Sequence, residues 1–113
     1  MQLSKYLVLA ASLATATLAY DSNCEGSFLP VSKEECAEAI NNIDTTKNYS
    51  EDTEFSSGHC YLKYATNGGS DSEVSGQEIR DVAQNIIDNC HDSHGSYGID
   101  NCDECHVTVN YRS

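Results

Sequence analysis

Six cysteines, at positions 24, 36, 60, 90, 102 and 105, all follow an apolar leader in a chain of 113 residues. An even number of thiols in a short exported chain is most economically a disulfide framework, and such frameworks persist in oxidising compartments. The protein is therefore expected to be secreted and to act extracellularly. The leader is read from Lys5, which supplies the positive start, from the apolar run Leu7 to Leu18, and from the small residues Thr17 and Ala19 that a signal peptidase recognises. Cleavage after Ala19 leaves residues 20–113 as a single domain. The apolar run falls short of the roughly 20 residues that a spanning helix needs, so no membrane insertion is expected. A domain of this size buries only about 60 to 70% of the surface of its unfolded chain, so the cross-links are expected to supply a large share of its stability.

The formal charge is −12, and it becomes −13 once Lys5 leaves with the leader, with five basic residues against 18 acidic ones. Lys33, Lys47, Lys63, Arg80 and Arg112 are scattered singly among carboxylates. Nucleic acid is bound by clustered cations that displace counterions, so no nucleic-acid partner is expected. The acidity serves solubility first, and it also favours a cationic partner.

Two helices carry the same start signal. Ser32 followed by Glu35, and Ser75 followed by Glu78, each place a hydroxyl three residues before a carboxylate, the pattern of a capping box. Cys36, Ile40 and Ile43 then mark a first helix from about Lys33 to Ile43. Ile79, Val82, Ala83, Ile86 and Cys90 mark a second, from Gly76 to Asn89. Cys60–Tyr64 and His106–Tyr111 alternate as strands, with Cys60, Leu62, Tyr64, Val107, Val109 and Tyr111 turned toward the helices. Shorter extended pieces are expected around Ser27–Leu29, Thr53–Phe55 and Ser96–Ile99, and Asn67–Ser70 reads as a turn. Together these predict an α+β fold: a two-layer sandwich with two helices on one face of a mainly antiparallel sheet. The opposite face would then present Tyr61, Lys63, His106, Thr108 and Asn110, whose aromatic and hydrogen-bonding groups make it the candidate binding face.

Other chemistry finds little support. Cys102-Asp103-Glu104-Cys105 has the spacing of a redox dithiol, but it precedes a strand rather than opening a helix, and its two carboxylates disfavour a thiolate. Cys90, His91, His94, Cys102, Cys105 and His106 are zinc-ligand types, yet an oxidising route favours disulfides over zinc thiolates. Asp100, Asp103 and Glu104 lack the loop spacing of a calcium site. His59, Glu54 and Arg80 are the residue types of a secreted ribonuclease, a substrate class that the acidic surface repels. No metal, no cofactor and no catalytic residue is expected, and the chain is read as a monomeric binding protein rather than an enzyme. Asn48-Tyr49-Ser50 is an N-glycosylation acceptor triplet in a polar stretch.

Asn23-Cys24-Glu25-Gly26-Ser27, the helix Gly76 to Asn89 ending in Cys90, and the closing Val107-Thr108-Val109-Asn110-Tyr111 resemble, in order, the smut-virus killer-toxin-like proteins of fungi. Gly58-His59-Cys60 gives a more distant likeness to secreted necrosis-inducing effectors. The resemblance implies a split βαβ sandwich and a secreted toxin or effector that binds a protein target on or outside a host or competitor cell, a calcium channel among the family's targets. It carries over no functional residue, because Ser50–Glu54 is acidic where a channel-blocking loop would be basic. A glycan-binding, lectin-like module is the alternative. Spacing alone leaves 15 pairings of the six cysteines open. The resemblance implies Cys24 with Cys90, and the simplest completion is Cys36 with Cys60 and Cys102 with Cys105.

Overall fold

The computed structural model describes residues 20–67 and 72–113. The leader, and Gly68 to Ser70 of the expected turn, lie outside the described residues. Ser32 caps helix α1 (Lys33–Asn41) by accepting from the Glu35 amide at 3.3 Å, and Ser75 caps α2 (Gly76–Asn89) by accepting from the Glu78 amide at 3.1 Å. Helix α1 ends two residues before the predicted Ile43. That side chain is still buried, because the Ile43 amide bonds back to the Ile40 carbonyl and the chain keeps turning. In α2 the buried stripe is Ile79, Ala83, Ile86 and Ile87, closed by the C-cap Cys90, while Val82 is only half-buried.

Strands β2 (Glu54–Ser57), β3 (Cys60–Ala65), β5 (Gly95–Gly98) and β6 (His106–Tyr111) form an antiparallel sheet in the order β2-β3-β6-β5. The two-residue strands β1 (Asn48–Tyr49) and β4 (Val74–Ser75) pair separately. Because β3 and β5 both run antiparallel to the β6 that separates them, they are parallel to each other. The path β3–α2–β5 is therefore a split βαβ unit. Gly58 opens the two-residue β2–β3 loop at φ +55°, a conformation that suits glycine, and any side chain there would run into the Glu35 carboxylate.

Both helices cover one face of the sheet, α1 over β2 and β3 and α2 over β5 and β6. Alternation sends Cys60, Leu62, Tyr64, Val107 and Val109 into that layer, each fully buried. Tyr111 points the same way and remains half-buried, stacked on His59 at 5.0 Å. Ser27–Leu29, expected as extended, forms no strand. The N-terminal pairing instead falls at Asn23, whose amide and carbonyl exchange bonds with Ser96 at 2.8 and 2.9 Å along the free edge of β5. The glycosylation triplet begins on β1 rather than in a loop, with Asn48 exposed.

The three disulfides are Cys24–Cys90, which the resemblance implied, and Cys36–Cys60 and Cys102–Cys105, the simplest completion of that pairing. They close sequence separations of 66, 24 and 3 residues. Chain-entropy scaling makes them worth about 4, about 3.5 and about 2 kcal/mol respectively. Urea denaturation of paired Cys→Ser variants should thus rank Cys102/Cys105 as the mildest loss. The Cys36/Cys60 pair should be the most severe, because both sulfurs lie in the core and serine hydroxyls there would be buried.

Candidate functional site

The outer sheet face is where alternation sends Glu54, Ser56, Tyr61, Lys63, Ser96, Thr108 and Asn110, and the structure divides it in two. On the β5 side, residues 20–24 form a strap along the sheet edge. Ser22 Oγ accepts from the Gly98 amide at 3.0 Å, and the Tyr20 ring stacks on His106 at 4.1 Å with 8° between planes. Gly98 pairs with His106, and its lack of a side chain leaves the room: a Cβ there would sit 3.3 Å from Tyr20 Cβ. His106, predicted to be exposed, is consequently only 8% accessible, and its Nδ1 lies 2.9 Å from the Glu104 carbonyl oxygen. A residue on the solvent face of a strand is buried here because a segment some 80 positions away lies across it.

Two more members of the predicted face are engaged internally. Thr108 Oγ1 lies 2.7 Å from Ser96 Oγ, and Asn110 Oδ1 accepts from the amides of Ser27 and Tyr111. Tyr61 and Lys63 remain on the open side, half-buried, with the Lys63 ammonium 3.4 Å from Asp52.

The sequence reading missed the Phe28–Leu29 tip. Phe28 is 98% and Leu29 47% exposed, the large hydrophobics left in solvent among the described residues. Their loop is held at both ends. Cys24 is tied to Cys90, the Ser27 amide donates to Asn110, Ser27 Oγ donates to the Leu29 carbonyl at 2.8 Å, and Val31 is buried with its amide on the Asp92 carbonyl. Asn110 faces Tyr61 across the β3–β6 register, so the tip is anchored beside the open part of the sheet face. The available signal was Phe-Leu-Pro between a disulfide and a helix cap, with no alternation to bury it.

The candidate metal and catalytic sets are not assembled. Cys90, Cys102 and Cys105 are all in disulfides, the His91 side chain is fully exposed, and Glu104 accepts from Asn67. Among the described residues no three potential ligands converge. Glu54 lies on the outer sheet face, Arg80 bonds Asn41 within the helix layer at 2.6 Å, and His59 is held at the hairpin end by the Arg112 carbonyl.

The β5–β6 connection is fastened from below by Tyr64. Its buried hydroxyl donates to the Ser72 carbonyl and accepts from Asn101 Nδ2, both at 2.7 Å, beside Cys105 Sγ at 3.3 Å. Ile99 and Cys105 close the base of the connection through an amide–carbonyl bond. Burial pushes the Tyr64 phenol above its ordinary pKa, with the Asn101 bond opposing.

These features define a small disulfide-stapled α+β domain with a strapped sheet and a protruding apolar tip. The chain belongs to the meiotically up-regulated gene family, whose model matches residues 22–113. Neither the curated proteins nor the solved structures contain a match to it.

A phenol whose folded pKa is raised stabilises the fold fully below the unfolded value near about 10, and that stability is lost as pH rises through the folded value. Tyr64→Phe should cost about 1 kcal/mol at neutral pH. It should also show a shallower decline of denaturation midpoint above about pH 10 than the native protein, followed by circular dichroism.

Proposed function

We propose that the protein is a secreted toxin or effector that binds a protein target on or outside another cell and performs no chemistry of its own. Its recognition surface is the Phe28–Leu29 tip together with the open Tyr61–Lys63 part of the outer sheet face. The observation that carries this reading is Phe28, an aromatic ring 98% exposed on a loop pinned at both ends. An apolar anchor held in place before binding loses little entropy on docking, and aromatic anchors dominate binding energy at interfaces.

Three further points support the reading. Three disulfides suit an oxidising extracellular setting. The killer-toxin-like resemblance points to binding at another cell's surface. The net charge of −12 favours a target with a basic rim around its apolar pocket. The family description refers to up-regulation in meiosis and assigns no activity.

Labelled protein should bind the surface of fungal or plant cells at micromolar concentration. Phe28→Ala combined with Tyr61→Ala should weaken that binding by roughly a hundredfold, and Phe28→Ala alone should weaken it while leaving the denaturation midpoint unchanged. Binding abolished by enzymatic removal of cell-surface glycans would favour the lectin-like alternative instead. Ribonuclease turnover lost on His59→Ala would refute a purely binding role.

A further inference from the structure

We propose that Asn48 carries an N-linked oligosaccharide, attached through its side-chain carboxamide during export. The inference rests on the secretion proposed above, and it concerns a surface at the other end of α2 from the Phe28 tip.

Asn48-Tyr49-Ser50 is the one triplet of the chain in which an asparagine stands two positions before a serine or threonine, and the residue between them is not proline. The transferase that reads such a triplet engages the carboxamide and the hydroxyl together, and the finished fold must leave the modified side chain in solvent. The local structure meets the second demand. On β1 the Tyr49 ring meets Phe55 edge-on at 5.0 Å against the core, and its hydroxyl accepts from the Asp44 amide at 3.2 Å. That inward anchor leaves Asn48 and Ser50, on either side of it, exposed.

Among the described residues neither the Asn48 carboxamide nor the Ser50 hydroxyl has a hydrogen-bond partner. The Ser50 carbonyl is engaged instead, by the amide and hydroxyl of Thr53 in the turn that follows. In contrast, Asn101 and Asn110 are tied into the fold by their side chains. A sugar on Asn48 therefore displaces no contact, while the backbone of Asn48 stays fixed opposite Ser75 in the β1–β4 pair.

The attachment point also keeps its distance from the recognition surface. Ser75 caps the N-terminal end of α2, whereas the Phe28 loop is tied to the C-terminal end through Cys24–Cys90 and the Val31–Asp92 backbone bond. The 14 residues of α2 put roughly 21 Å between those ends. Bulk on Asn48 sits at the end of the domain that does not carry the tip.

The transfer balances with one co-reactant, an oligosaccharide esterified to a lipid diphosphate. Asn48 Nδ2 bonds to C1 of the first sugar and loses a proton, while the C1–oxygen bond breaks and the lipid diphosphate leaves with the electron pair. The chain's family is named for meiosis, a eukaryotic process, and eukaryotic export supplies that donor.

The test is expression of the full chain with its own leader in a yeast host, followed by intact-mass measurement of the oxidised protein in the medium and in the cytosol. Secreted protein heavier than its polypeptide is expected, and peptide-N-glycosidase should remove the excess and leave an aspartate at position 48. Asn48→Gln and Ser50→Ala should each abolish the excess, and Ser50→Thr should retain it. Because both side chains are exposed and unbonded, denaturation midpoints after glycosidase treatment should agree across the set. Bare polypeptide in the medium would overturn the glycan while leaving secretion standing, as would excess mass that survives Asn48→Gln. A chain confined to the cytosol would overturn secretion, and the glycan with it.

Discussion

The covalent tie between Cys36 and Cys60 sets the terms for the rest of the molecule. Both residues are fully buried, one on the first helix and one at the start of the central strand, and the bond fixes the distance between the two layers. With α1 held there, Asn42 reaches the Ser56 carbonyl and Glu38 accepts from Ser57, so the β2 edge is stitched to the helix layer. In so small a sandwich the apolar core alone leaves little margin against chain entropy. Restricting the unfolded chain is the efficient remedy.

The second long tie acts on the surface rather than the core. Joining Cys24 to the end of α2 brings the N-terminal segment along the edge of β5, where Asn23 pairs with Ser96 and Ser22 takes the Gly98 amide. That edge would otherwise expose unpaired backbone groups, a standing invitation to intermolecular pairing. The strap also covers part of the outer face, with Tyr20 lying over Gly98 onto His106. The two ends of β6 thereby acquire different characters, a strap-covered His106 at one and a convex apolar tip at the other.

Local chemistry made much of this legible. The serine caps announced both helices, because a hydroxyl three residues ahead of an acceptor-seeking amide is a local arrangement that no distant contact needs to complete. The alternation of Cys60–Tyr64 and His106–Tyr111 assigned the helix-facing positions of the two central strands correctly, all of them buried but the half-buried Tyr111. It misjudged His106, since alternation reports which face a residue occupies and not what lies over that face. The β1–β4 pair was not legible either, as two-residue strands carry no periodicity. Phe28 was passed over because a single aromatic in a loop has no pattern, and its exposure depends on what fails to pack against it.

From its residues alone this chain declared a cross-linked, acidic, two-layer α+β domain, since caps, alternation, charge and cysteine count are properties of neighbouring positions and of sums. The split βαβ order, the strap across Gly98, the solvent-held Phe28 and the stacking of Tyr20 on His106 were decided by tertiary structure. Each of them brings together segments tens of residues apart, and which segments meet depends on helix packing and disulfide closure acting at once, information that no local window of the chain contains.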